Sequence, residues 1–118
     1  MRICVYQGAA AFLDVEANLT QIERIAKTAV AQGAQLVLFP ELFLCGYNLG
    51  NDGDRVADAA DGQSTRRAAD IARHHDIALL YGYAERAGSR LYNSAILIDK
   101  AGQTCANYRK VHRFGPDE

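Results

Sequence analysis

Gln35-Leu36-Val37-Leu38-Phe39-Pro40-Glu41 is the stretch that decides the fold. Between Gln35 and Phe39 the apolar run does not alternate, which suits a strand covered on both faces rather than one washed by water. Pro40 ends it, because proline has no amide hydrogen for a sheet ladder. Upstream, residues 15–32 carry a helical period. Leu19, Ile22, Ile25, Ala26, Ala29 and Val30 share one stripe, with Glu16, Glu23 and Lys27 off it. Gly33 suits the position just past that helix, where a left-handed backbone is cheap. Residues 3–7 form a short β-favouring run. Met1-Arg2 and the apolar residues to Leu13 bear a faint likeness to a secretion signal. Gln7 and Gly8 interrupt it and Asp14 follows, so the run reads as a first strand.

Downstream, residues 44–62 are rich in Gly, Asn and Asp and predict a long loop with a short helical turn. Ser64 is a candidate cap for a second helix running to His75, with Ala68, Ile71 and Ala72 inward. Residues 77–83 predict a third strand, 85–90 a turn, 91–99 a fourth strand, 100–103 a tight turn and 104–110 a fifth strand. The order β-α-β-loop-α-β-β-β implies an α/β fold: a mixed β-sheet covered by helices on one face. Two helices cannot cover both faces. An apolar second face must then be covered by something outside residues 1–118, which read as one incomplete domain.

Composition narrows the function classes. Of 118 residues, 49% are apolar, too many for a disordered chain. Thirteen basic and fourteen acidic residues give a net charge of −1, so no sequence-wide basic field exists to hold nucleic acid. No apolar run approaches the roughly 18 residues of a membrane span. Three widely spaced cysteines, Cys4, Cys45 and Cys105, form neither a disulfide framework nor a zinc pair, and they imply a reducing, cytoplasmic setting. Cys4 and Cys105 read as small buried hydrophobes within strands, and Cys45 as structural. His74, His75 and His112 lack a regularly spaced third ligand. The Asn48–Asp54 stretch has Ala59 where a calcium loop needs an acid, so no metal is expected.

Two groups carry the chemistry. Glu41 follows a buried strand and is flanked by Phe39, Leu42 and Phe43. Exclusion of water there would disfavour its charged form and suit it to act as a general base. A helix-capping or salt-bridged glutamate is the equally weighted alternative. Lys110 closes a strand of the same sheet, where an ammonium near a carboxylate can hold charge on an oxyanion. With Arg109 and Arg113 beside it, an exposed basic strand end is the stronger reading from residue type alone. Glu118 alone is a surface glutamate.

Phe39-Pro40-Glu41 with Gly46-Tyr47 downstream, then Tyr108-Arg109-Lys110-Val111-His112 and Phe114, resembles the nitrilase superfamily of carbon-nitrogen hydrolases. The frame around these motifs agrees: the Gln7 strand, Asn18-Leu19, Gly33-Ala34, and Leu91-Tyr92-Asn93-Ser94-Ala95. The resemblance implies the N-terminal part of an α-β-β-α sandwich, assembled as a homo-oligomer through a helical face. It implies Glu-Lys-Cys catalysis without metal or organic cofactor. Glu41 would be the general base, Lys110 the oxyanion-stabilising cation and Glu118 a substrate-positioning group. The nucleophilic cysteine of that pattern falls beyond Glu118, and none of the three cysteines stands in for it. The expected activity of the complete protein is amidase-type hydrolysis of a small-molecule carboxamide to a carboxylic acid and ammonia, ahead of a nitrile or a carbamoylated amine. These 118 residues alone are expected to be inactive. The alternative is a truncated, non-catalytic assembly or decoy subunit of a nitrilase-like oligomer.

Overall fold

The computed structural model describes residues 1–112, 114 and 115. Its order is β1 (Ile3–Val5), α1 (Val15–Ala31), β2 (Leu36–Leu38), a 3-10 turn (Gly50–Asp52), α2 (Gly53–Val56), α3 (Gln63–His75), β3 (Ala78–Ala87), β4 (Arg90–Ile98) and β5 (Thr104–Arg109). The five strands lie in one sheet in chain order. β1, β2 and β3 are parallel, whereas β4 and β5 return antiparallel as a meander. The α/β class and mixed sheet follow the sequence expectation. Among the described residues no helix is long and apolar enough to cross a membrane.

α1 starts at Asp14, whose carboxylate accepts the Ala17 amide at 2.9 Å. It ends at Gln32, and Gly33 takes φ +80° to turn the chain into β2. Leu19, Ile22, Ala26 and Ala29 are buried as the period predicts, whereas Val30 is exposed at the stripe's edge. α3 is not capped by Ser64. Its N-cap is Gly62, and Asp58 reaches in from the preceding loop to accept the Ser64 amide at 2.9 Å and the Ala59 amide at 2.8 Å. Ala68, Ile71 and Ala72 face inward, and α1 and α3 pack side by side over the sheet.

Strand alternation then sorts the sheet's two faces. Val37, Leu79, Tyr81, Tyr83, Ile96 and Ile98 lie under the helices in the main core. The opposite face carries register partners that are equally apolar: Ile3 beside Leu36, Val5 beside Leu38, Leu38 beside Leu80, and Leu80 beside Leu97. Ile3, Val5 and Tyr108 on that face are exposed. β2 is therefore covered fully on one face only.

Further sequence readings change as well. Glu85 and Arg86 belong to β3 and not to a turn; the turn is confined to Gly88-Ser89. The polar run from Glu85 suggests a break, but Glu85 finds partners on β4 and, beyond it, on β5. Cys105 is exposed, because β5 is the outer strand and is exposed along its length. Cys45 is buried and Cys4 half-buried.

Candidate active site

The chain leaves β2 at Phe39, whose amide donates to the Leu80 carbonyl at 2.8 Å, and then crosses over β3. Leu44 donates to the Gly82 carbonyl at 3.0 Å, which holds residues 40–44 against that strand. Leu42 adopts φ +52°, an uncommon backbone for leucine. It is anchored by its own side chain, buried with Cys45, Leu49 and Ala84. Phe39 and Phe43 turn into the main core, where their rings lie 5.0 Å apart and both meet Tyr6. This loop carries Glu41 on the open face of the sheet.

Lys110 follows β5 on the same face. Its amide donates to the Asn93 carbonyl at 2.8 Å, so ladder pairing continues one residue past the strand. Lys110 Nζ donates to Glu41 Oε1 at 2.7 Å, across 69 positions of sequence. Asn93 Nδ2 donates to the same oxygen at 2.6 Å. The two expected residues are brought together, and Asn93 joins them. Glu118 lies outside the described residues.

The expected exclusion of water is not provided by these residues. The Glu41 side chain is 42% exposed and that of Lys110 is 29% exposed. The reason is local: Phe39, Leu42 and Phe43 are drawn into the two cores and leave the carboxylate uncovered on the open face. Beside it lies a groove of about 340 Å³, lined by Pro40, Gly82, Ala95 and Tyr108 as well as the Glu41–Lys110 pair. That size is at the low end of small-molecule sites. The three polar groups thus edge a largely apolar groove, an arrangement able to hold a small molecule beside a carboxylate and an ammonium.

The far side of the sheet holds a second polar cluster that the sequence reading missed. Glu85 is 2% exposed and accepts from Ser94 Oγ at 2.7 Å, Asn107 Nδ2 at 3.0 Å and Arg109 Nη2 at 2.7 Å. The Arg109 guanidinium, followed by the other two donors, outweighs burial and holds the Glu85 carboxyl down at about 2. Arg109 also stacks 4.1 Å over the Tyr92 ring. The available signal was strand parity, since Tyr81, Tyr83 and Glu85 share a face. The Cys45 thiol is pushed up to about 11 by burial, which makes it a poor nucleophile.

The sequence and fold are similar to those of known proteins. The carbon-nitrogen hydrolase family model matches residues 2–118. The "Hydrolase in pqqF 5'region" of Pseudomonas protegens is 44% identical over 117 residues, covering 98% of this chain and 40% of that protein. A nitrilase of Pyrococcus abyssi is 35% identical over 118 residues, covering 97% and 44%. An amidase from Nesterenkonia sp. AN1, solved in complex with butyramide, superposes over 100% of this chain and 46% of its own, with a TM-score of 0.89 and 36% identity. In another of its structures the acetamide moiety of fluoroacetamide is added covalently at the active-site cysteine. The chain belongs to the carbon-nitrogen hydrolase family, within the nitrilase superfamily. It spans less than half the length of these relatives.

Proposed function

We propose that residues 1–118 contribute the general base, Glu41, and the oxyanion cation, Lys110, of an amidase-type hydrolase whose nucleophilic cysteine lies further along a longer polypeptide. The observation that carries this reading is the 2.7 Å contact of Lys110 Nζ with Glu41 Oε1 on the groove side of the sheet. Glu41 takes the thiol proton, and the thiolate attacks the carboxamide carbon. The Lys110 ammonium stabilises the oxyanion that forms. Collapse breaks the C–N bond, and the proton held by Glu41 leaves with ammonia. Glu41 then deprotonates a water that cleaves the thioester, which yields the carboxylic acid and frees the thiol. Asn93 and Lys110 both engage Oε1, so among the described residues Oε2 is left to meet the thiol.

Small aliphatic carboxamides are the first substrates to test, ahead of nitriles and carbamoylated amines, because butyramide and acrylamide occupy structures of the Nesterenkonia amidase. The test uses the protein extended past Glu118 to include the cysteine. Ammonia release from butyramide is expected, and Glu41→Gln and Lys110→Ala should each abolish it. Activity that survives both substitutions refutes the reading. Glu118 is assigned to substrate positioning, so Glu118→Gln should act mainly on KM. A cytoplasmic setting fits the three unpaired cysteines. Homo-oligomer formation through the helical face belongs to the same reading and is checked by light scattering.

The open apolar face, with Ile3, Val5 and Tyr108 exposed, supports incompleteness of the domain. It equally fits the second reading, a non-catalytic subunit that pairs with longer partners. The downstream reading frame separates them: a stop codon after Glu118 favours the subunit, and continuation to a cysteine favours the enzyme.

A further inference from the structure

Glu85 lies on the opposite side of the sheet from the groove, yet two of its donors are each one residue from a group in the groove. Ser94 is the neighbour of Asn93, and Arg109 is the neighbour of Lys110. Successive strand residues point to opposite faces, so a one-residue step through a sheet is a short and stiff connection. Ser94 and Arg109 are also register partners across β4 and β5. One carboxylate therefore grips both strands at the level where their other faces present Asn93 and Lys110 to Glu41, at 2.6 and 2.7 Å.

β5 needs such a grip. It is exposed along its whole length, so no buried apolar side chain pins it, and its pairing with β4 is irregular at Leu97/Ile98. A slip of one residue would send Lys110 to the wrong face. It would also strip the buried Glu85 of Arg109, and an orphaned buried carboxylate is strongly disfavoured. Asn107 reinforces the grip. It donates to Glu85 at 3.0 Å while its Oδ1 accepts from Tyr83 Oη at 2.8 Å.

We propose that Glu85 is a positioning residue for the Glu41–Lys110 site, fixing β4 and β5 through Ser94 and Arg109 in the register that presents Asn93 and Lys110 to Glu41. The proposal rests on the function argued above. Misplacement of a catalytic group by about 1 Å can lower a rate by about 100-fold. In the extended protein, Glu85→Gln should therefore lower kcat about 10- to 100-fold, leave KM within about threefold, and shift the pH profile of kcat. Ser94→Ala, which removes one donor and keeps the charge pair, should lower kcat by a smaller factor with the same KM signature. Ile22→Val, a core change away from the site, controls for stability loss and should leave kcat and the pH profile unchanged. If Glu41→Gln and Lys110→Ala abolish activity while Ser94→Ala and a folded Glu85→Gln keep wild-type kcat and pH profile, this inference is overturned and the functional reading stands. If Glu85→Gln does not fold, Ser94→Ala decides: an unchanged kcat overturns the proposal and a lowered one supports it. Activity that survives loss of Glu41 and Lys110 overturns both.

Discussion

Gly82 lies directly beneath Leu42: a Cβ built on Gly82 would stand 2.3 Å from the Leu42 amide nitrogen and 2.9 Å from the Glu41 Cα. Those are backbone atoms and cannot swing aside. Gly82→Ala should therefore push the Pro40–Leu42 segment off β3, carry Glu41 away from Lys110, and cost about 1–3 kcal/mol as overpacking does. Urea unfolding checks the stability loss, and ammonia release by the extended protein should fall with it. Wild-type stability in Gly82→Ala would mean that the loop is not seated on β3.

Much of this architecture is legible in the sequence, because the signals involved are local. The α1 stripe, the Gly33 turn and the apolar run before Pro40 each depend on neighbours within a turn or a strand. The meeting of Glu41 and Lys110 is not local. The motif resemblance, and not periodicity, singles them out together. What stayed hidden depends on pairing across strands. Glu85 in a polar run looks like a turn until Ser94 on β4 and Arg109 on β5 are seen to reach it. Cys105 looks like a buried strand residue until β5 proves to be the outer strand. Asp58 replaces Ser64 as the source of capping for α3 because it folds back over six residues.

The Glu85 cluster should leave a signature in acid. The carboxyl is held at about 2, against an ordinary 4.5, with Arg109 as the main cause. The folded value lies below the unfolded one, so its stabilisation is complete above about pH 4.5 and is lost as pH falls toward 2. The stability gap between wild type and Glu85→Gln should accordingly be widest above pH 5 and narrow by about 2–3 kcal/mol on acidification to pH 2. Urea midpoints at pH 2, 3, 4 and 6 measure it. A gap that is flat with pH, or that widens in acid, contradicts the ion pair.

The cysteines should differ sharply in reactivity. Cys105 is exposed, whereas Cys45 is fully buried with its thiol pushed up to about 11. At pH 8 only about one Cys45 in a thousand is thiolate even before access is considered. A disulfide reagent in the native state should label Cys105 quickly and Cys45 only after unfolding. Cys45→Ala in the extended protein should keep catalytic activity. Rapid native labelling of Cys45, or loss of activity in Cys45→Ala, would make Cys45 a nucleophile of the site.

Asn18 ties the Glu41 loop to the first helix and should matter more to stability than its helix-start position suggests. It is fully buried. Its Oδ1 accepts from the Ala11 amide at 2.7 Å, while Nδ2 donates to the carbonyls of Ala11 at 2.8 Å and Leu44 at 3.0 Å. Asn18→Leu keeps the branched shape of the side chain but strips three backbone groups of their partner, one of them on the buried Leu44. The cost should be about 2–4 kcal/mol, since each unsatisfied buried group forfeits about 1–3 kcal/mol. Asp14 provides the comparison on the same turn. It caps α1 from an exposed position through the Ala17 amide, so Asp14→Ala should cost only about 1 kcal/mol. Urea unfolding of the two variants side by side gives the order. A larger loss from Asp14→Ala than from Asn18→Leu would show that helix initiation, rather than the buried amide, holds residues 11 and 44 together.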